Sequence, residues 1–149
     1  MENQTKTKNP NVKLPFKHAE LTEKIITAFY TVYRTLGYGF LEKVYENSLA
    51  IELSRQGVNV QQQRPIIVHY SGLVVGEYFA DLVVNDLILV EVKAAKAMAE
   101  EHEAQLLNYL KATPYEVGLL LNFGPKAEFK RRSYENSRKE WLQNQQSIV

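Results

Sequence analysis

The sequence predicts a mixed α/β domain with a central sheet flanked by helices. Apolar residues recur at steps of three and four over 21–36 and again over 41–53, as in amphipathic helices. Two runs rich in branched residues, 82–84 and 87–90, are typical of buried strands. Another helical segment separates them from a continuous apolar run at 115–122, which indicates a buried strand reached by a crossover.

The predicted order of elements is helix, helix, three strands, helix, two strands, helix. The first helix stops at Gly37 and Gly39, and the second covers about 40–56. The segment 58–84 is expected to form a hairpin that turns at Ser71 and Gly72. Pro65 favours an edge position or a bulge for the first strand of that hairpin.

Length and composition indicate one soluble domain. The chain has 149 residues, and we expect a flexible polar arm at 1–17 followed by a single domain at 18–149. The absence of cysteine excludes disulfides and thiolate metal sites and favours a cytoplasmic location. No apolar run is long enough to cross a membrane. The net charge of +1 means that any contact with phosphates must come from a local basic patch.

Three charged side chains interrupt the most apolar part of the chain, and they are the candidate site. Asp81, Glu91 and Lys93 lie within the two branched strands. A buried charge costs several kcal/mol unless it is paired, hydrogen-bonded or bound to a metal. Because side chains two apart on a strand share a face, Glu91 and Lys93 project together.

The position of Asp81 depends on the register of the predicted hairpin. A two-residue turn at Asn85 and Asp86 would set Asp81 opposite Val90, on the other face from Glu91. A three-residue loop that includes Leu87, or one bulge, would set Asp81 opposite Glu91 instead. We expect the second register, which brings the two carboxylates close enough to hold one hard divalent cation.

The spacing of Asp81 and Glu91-Val92-Lys93 resembles the signature of the PD-(D/E)XK nuclease superfamily. Gly39, Glu42 and Tyr45 match the Gly-x-x-Glu-x-x-Tyr pattern of its GxxExxY family, and Gln105 with Tyr109 is similar to the Gln-x-x-x-Tyr helix of its exonuclease-like branch. The resemblance covers about 21–123 and implies a restriction-endonuclease-like core.

The resemblance implies metal-dependent hydrolysis of a phosphodiester, with DNA as the expected nucleic-acid partner. Mg²⁺, or Mn²⁺, would be held by Asp81, Glu91 and the carbonyl of Val92, and it would polarise the scissile phosphate. Lys93 would be catalytic. Glu42 would hold a second ion or a water, and Gln105 would position Glu91 or Lys93.

Substrate contacts are expected from Tyr109 and from the basic cluster of Lys130, Arg131 and Arg132. Two other interpretations stay open. The chain could be a catalytically inactive nuclease-fold module that binds nucleic acid or protein, or an interaction protein in which Asp81, Glu91 and Lys93 form only an ion-pair network. Assembly into a homo-oligomer also stays open.

Overall fold

A five-stranded mixed sheet lies at the centre of the protein, and the predicted order of elements is confirmed. The computed structural model describes residues 16–146. In chain order, the elements are α1 (Ala19–Leu36), α2 (Glu42–Arg55), β1 (Val60–Tyr70), β2 (Leu73–Val84), β3 (Ile88–Lys93), α3 (Glu100–Ala112), β4 (Val117–Phe123), β5 (Ala127–Ser133) and α4 (Glu140–Gln146). A single 3₁₀ turn at Asn136–Arg138 precedes α4.

The strands follow one another in the sheet in the order β1-β2-β3-β4-β5. Only β3 and β4 are parallel, because α3 carries the chain back across the sheet between them. Both central strands are buried on both faces, which explains their continuous apolar runs. The strand that contains Pro65 lies at the edge of the sheet, as expected.

The helices pack on opposite faces of the sheet, and each face has its own hydrophobic core. On what we call the α1/α2 face, Phe29 and Tyr45 pack against Phe123 of β4, with ring centroids 4.7 and 4.5 Å from it. On the α3 face, Leu106 and Leu110 are fully buried in a core that covers β2, β3 and β4. The α/β architecture predicted from the periodicity of the sequence is therefore confirmed.

Few residues of the predicted N-terminal arm are described. Residues 1–15 lie outside the described part of the chain, and both Phe16 and Lys17 contact the body of the domain. At the other end, the Trp141 indole N–H donates to the carbonyl of Lys111, so α4 is attached to the end of α3. Among residues 16–146, no helix is long and apolar enough to cross a membrane.

Candidate active site

The two acidic residues lie where β2 and β3 stop pairing. The last paired residues of this ladder are Leu82 and Val90, so Asp81 and Glu91 follow side by side. At the other end, Val84 pairs with Ile88 and leaves a three-residue loop. Within it, Asn85 and Asp86 have left-handed backbone angles, with φ of 51° and 53°. The expected register of the hairpin is confirmed.

Side-chain oxygens replace the missing backbone contacts between the diverging strands. Glu91 Oε1 accepts a hydrogen bond of 3.2 Å from the backbone N–H of Asp81. Asp81 Oδ2 accepts one of 2.8 Å from the backbone N–H of Val92. Each carboxylate is thus attached to the opposite strand, and the two are held together at the point where the sheet opens.

Burial makes this pair of carboxylates electrostatically unfavourable in the ionised state. Glu91 is 4% exposed, and burial followed by the charge of Asp81 raises the pKa of Glu91 to about 8. Burial also raises the pKa of Asp81, and the Glu46 carboxylate adds to that rise, whereas the Val92 N–H opposes it. A cation placed between the two oxygen groups would remove this penalty.

Lys93 lies beside the pair without forming an ion pair. It points to the same face as Glu91, and its positive charge opposes, without cancelling, the rise in the pKa of both carboxyl groups. The ion pairs among the described residues do not include Lys93. This geometry does not favour the interpretation of the charged hairpin as an ion-pair network.

Glu46, which the sequence analysis missed, is the third carboxylate near the pair. It is 3% exposed and lies on α2 in the buried stripe with Leu49, Ala50 and Leu53. Its position in an apolar stripe is the signal that could have identified it, because a carboxylate there needs partners. Lys43 supplies one of them, with a contact of 2.7 Å.

Gln63 of β1 links Glu46 to the Asp81–Glu91 pair through hydrogen bonds. Its side-chain nitrogen donates to Glu46 Oε1 at 2.6 Å and to Asp81 Oδ1 at 3.3 Å. The backbone of Gln63 is left-handed, with φ of 53°, a conformation that is uncommon outside glycine and often occurs at functional sites. The Asp81 carboxylate is therefore hydrogen-bonded to β3 by one oxygen and to Gln63 by the other, and Gln63 connects it to α2.

Glu42 does not join this cluster. Its side chain is exposed at the first residue of α2, and no contact with the carboxylates is found in the described part of the chain. The other members of its motif have structural roles. Gly39 adopts φ of 114°, which strongly favours glycine, and the Tyr45 hydroxyl donates to the carbonyl of Gly37 at 2.7 Å. The motif therefore shapes the connection between α1 and α2.

Tyr109 and Gln105 extend the site along α3. Tyr109 is buried, and burial followed by the charge of Glu91 raises its pKa. The Gln105 amide donates to the Tyr109 hydroxyl at 2.8 Å. In this structure Gln105 thus contacts Tyr109, whereas a direct contact with Glu91 or Lys93 was expected.

The predicted basic cluster does not form one surface, because successive side chains of a strand point to opposite faces. Arg131 lies on the α1/α2 face, where its guanidinium stacks over Phe16. Arg132 forms an ion pair with Glu103 of α3. Lys130 is exposed, and it is in register with Leu120 and, through Leu120, with Glu91. Glu91, Leu120 and Lys130 thus form one row of side-by-side residues across three strands. Of the three basic residues, only Lys130 lies on this row and forms no ion pair within the described residues.

Asn122 is a further residue that the sequence analysis did not identify. It is fully buried and in register with Lys93. Its side chain accepts from the N–H of Ala95 at 2.9 Å and donates to the carbonyl of Ala95 at 3.0 Å. These two bonds fix the chain directly after Lys93, and a polar residue at the end of an apolar strand was the available signal.

The described residues contain no group of three or more His, Cys, Asp or Glu side chains arranged to hold a metal ion. Asp81 and Glu91 form a pair, and Gln63 separates Glu46 from them. The donor set is thus two carboxylates beside the backbone of Val92, which suits a hard cation that keeps several waters.

An acidic pair and a lysine, held where two strands of a mixed sheet diverge, define a nuclease-like α/β protein. A sequence profile described as the PD-(D/E)XK nuclease superfamily matches residues 19–132. The chain belongs to this superfamily, as its fold and motif residues indicated. No curated protein matches the chain.

Two solved structures are similar to the chain at low sequence identity. The crystal structure of SSO0001 has a TM-score of 0.50 and 19% identity, with 84% of this chain and 64% of that chain covered. The alkaline exonuclease LHK-Exo from Laribacter hongkongensis has a TM-score of 0.48 and 12% identity, with 87% and 77% covered. The chain therefore spans less than two thirds of SSO0001, and that likeness concerns the fold alone.

Proposed function

We propose that the protein is a Mg²⁺- or Mn²⁺-dependent nuclease that hydrolyses phosphodiester bonds, with DNA as the expected substrate. The observation that supports this most directly is the pair of hydrogen bonds that hold the two carboxylates across the opened strands, beside Lys93: the Asp81 N–H donates to Glu91, and the Val92 N–H donates to Asp81. Membership of the nuclease superfamily supports the same activity. Within the superfamily we assign the chain to the GxxExxY family, because Gly39, Glu42 and Tyr45 match its pattern.

Asp81, Glu91 and the Val92 carbonyl are proposed as the protein ligands of the ion. The raised pKa of Glu91 supports this, since two carboxylates that repel each other gain stability from a cation. When bound, the ion supplies Lewis acidity to the scissile phosphate. Lys93 stabilises the negative charge that develops on the phosphate, and its position next to the pair suits that role.

We assign a positioning role to Glu46, in place of the contact with a second ion or a water that the sequence motif assigned to Glu42. Through Gln63, Glu46 fixes the Asp81 carboxylate, whereas Glu42 is exposed. Gln105 holds the Tyr109 hydroxyl, and Tyr109 forms the α3 side of the substrate site. Lys130 is the proposed contact to the phosphate backbone. The lack of cysteine supports action in a reducing compartment such as the cytoplasm.

The activity can be tested with a panel of linear, circular, single-stranded and branched DNA and RNA, each with Mg²⁺ or Mn²⁺. Wild type should cut at least one substrate, and Glu91→Ala should cut none. The net charge of +1 is the observation that favours a binding module instead. That alternative, a module that binds nucleic acid or protein, predicts that wild type cleaves no substrate in the panel.

A further inference from the structure

Tyr78 of β2 is an exposed aromatic residue beside the proposed active site, and the functions described above do not use it. Its side chain is 47% exposed. Its ring centroid lies 5.7 Å from that of Tyr109, at an angle of 44°. Tyr109 in turn is close enough to Glu91 for the charge of Glu91 to raise its pKa. An exposed aromatic surface is thus continuous with the wall of the site.

The Tyr78 ring packs directly over a glycine of the same strand. A Cβ atom added to Gly76 would lie 3.0 Å from Cε2 of Tyr78, so the ring lies back over this residue. Beside the ring, Tyr78 pairs with Ile66 of β1, which is buried. The ring is therefore supported by the strand, and about half of the residue, 47%, is exposed to solvent.

We propose that Tyr78 is a stacking platform for an unpaired nucleobase next to the scissile phosphodiester. This inference rests on the proposed nuclease function and names its substrate class, which is single-stranded nucleic acid or an unpaired end. Tyr78 lies three residues, about 10 Å, before Asp81 on β2. The alternation of faces breaks between them, because Ala80 and Leu82 are two apart but are buried in different cores, so this spacing does not put Tyr78 and Asp81 on opposite faces. The distance along β2 suits a nucleotide whose phosphate lies at the carboxylates and whose base reaches the ring.

The stacking of bases explains why the substrate must be unpaired. Both faces of a base inside a duplex are covered by neighbouring bases, whereas an unpaired base offers its π-face to an aromatic side chain. Stacking also supplies affinity that does not depend on charge. The net charge is +1 and, among residues 16–146, Lys130 is the exposed cation in register with Glu91, so the described residues supply few phosphate contacts beside the carboxylates.

The test compares binding of one labelled oligonucleotide in two forms, as a single strand and annealed to its complement in a duplex whose ends are closed by non-nucleotide linkers, so that no base is unpaired. Fluorescence anisotropy in EDTA measures binding without cleavage. Tyr78→Leu should bind the single strand about 5- to 100-fold more weakly, the range expected for one lost base stack. Its binding to the duplex should change by about twofold or less, because no base face is available there.

Three further variants separate stacking from folding. Tyr78→Phe keeps the ring and should bind like wild type. Phe79→Leu is the matched control, because Phe79 is 53% exposed and adjacent on the same strand but faces the other side. Gly76→Ala adds a methyl group where the ring lies, so it should displace the ring and weaken single-strand binding at an unchanged melting temperature.

Two outcomes would overturn the inference. One is equal loss of both nucleic-acid forms in Tyr78→Leu, and the other is a lower melting temperature with unchanged single-strand binding, which would show that Tyr78 only covers the core. The nuclease proposal is judged separately by cleavage. If wild type cuts while Tyr78→Leu keeps the wild-type preference between the two forms, the stacking inference alone fails. If wild type binds single strands through Tyr78 but never cuts, the nuclease proposal alone fails.

Discussion

Lys93 distinguishes a catalytic site from a structural ion pair. Because it forms no ion pair within the described residues, its removal should leave folding intact. We expect Lys93→Ala to lower cleavage by at least about 100-fold, the lower end of the effect of removing one transition-state donor. Metal binding, measured by calorimetry, should be unchanged or tighter, since a positive charge beside the ion is lost.

A structural ion pair predicts the opposite result for the same variant. There, Lys93→Ala would leave a buried carboxylate unpaired and cost about 3–5 kcal/mol of stability. Melting temperature and activity should therefore be measured on the same preparation. Unfolding of the variant, together with no metal-dependent cleavage by wild type, would favour the structural interpretation.

Glu91 should make the stability of the metal-free protein depend on pH. Its pKa is about 8 in the folded protein and 4.5 when unperturbed, so the folded state holds the proton more tightly. This contribution to stability is complete below about pH 4.5 and is lost as the pH rises through about 8, by an amount on the order of a few kcal/mol. Urea midpoints in EDTA should therefore fall between pH 5 and 8.5.

The matched control for this pH dependence is Glu91→Gln, which has no titrating carboxyl group at that position. The slope of stability against pH should be smaller in this variant, although Asp81 also has a raised pKa and retains part of it. Equal slopes in wild type and Glu91→Gln would show that Glu91 titrates normally.

Glu42 and Glu46 offer a matched pair one turn apart on α2. Only Glu46 is buried and joined to Asp81, through Gln63. We expect Glu46→Gln to lower cleavage by about 10- to 100-fold, as outer-shell substitutions commonly do. Glu42→Gln should remain within about twofold of wild type. A loss confined to Glu42→Gln would restore the role that the sequence motif assigned to it.

The difference between these two glutamates shows what sequence could predict of the site. Charges inside apolar strands identified Asp81 and Glu91, because burial makes such charges costly anywhere in a fold. Gln63 could not be found, since it reaches Glu46 and Asp81 from a left-handed backbone position that its neighbours in sequence do not reveal. Tyr78 likewise looks like any other strand residue in the sequence, and only its contact with Tyr109 in the folded protein distinguishes it.

At the scale of elements, strand alternation decides which basic residues can contact phosphates. Lys130 lies two strands from Glu91 on one row, about 10 Å away, whereas Arg131 lies on the opposite face. Lys130→Ala should weaken binding and reduce the slope of log affinity against log salt by about 1 or less. Arg131→Ala should leave that slope unchanged. Titrations at several salt concentrations would reveal either pattern.

The elements themselves were predictable because their signals are local. Helical periodicity gave α1 and α2, and the apolar runs gave β3 and β4 with the crossover between them. The division of the basic cluster was equally available from the two-residue period of β5, but three consecutive charges were interpreted as one patch. Contacts such as that of Arg132 with Glu103 depend on how α3 lies over the sheet, which sequence does not specify.

At the scale of the whole molecule, metal binding should be coupled to folding. The carboxylates converge only when α2, β1, β2 and β3 are assembled, because Gln63 and the strand register bring them together. The unfolded chain has no such site. An ion that binds only the folded state stabilises it by RT ln(1 + [L]/Kd), about 2.7 kcal/mol when the ion is present at 100 times Kd.

We therefore expect Mg²⁺ or Mn²⁺ at 100 times Kd to raise the melting temperature of wild type by roughly 5–10 °C, from the usual slope for a domain of this size. Asp81→Asn and Glu91→Gln should each lose this rise. In EDTA above about pH 8, where both carboxyl groups of wild type are ionised, each variant should be more stable than wild type, because the repulsion between the two carboxylates is gone. Glu42→Gln is the control and should keep the full metal response. A rise of equal size in all four proteins would show that the ion binds elsewhere, and no rise in wild type at any concentration would contradict a metal site at the opened strands.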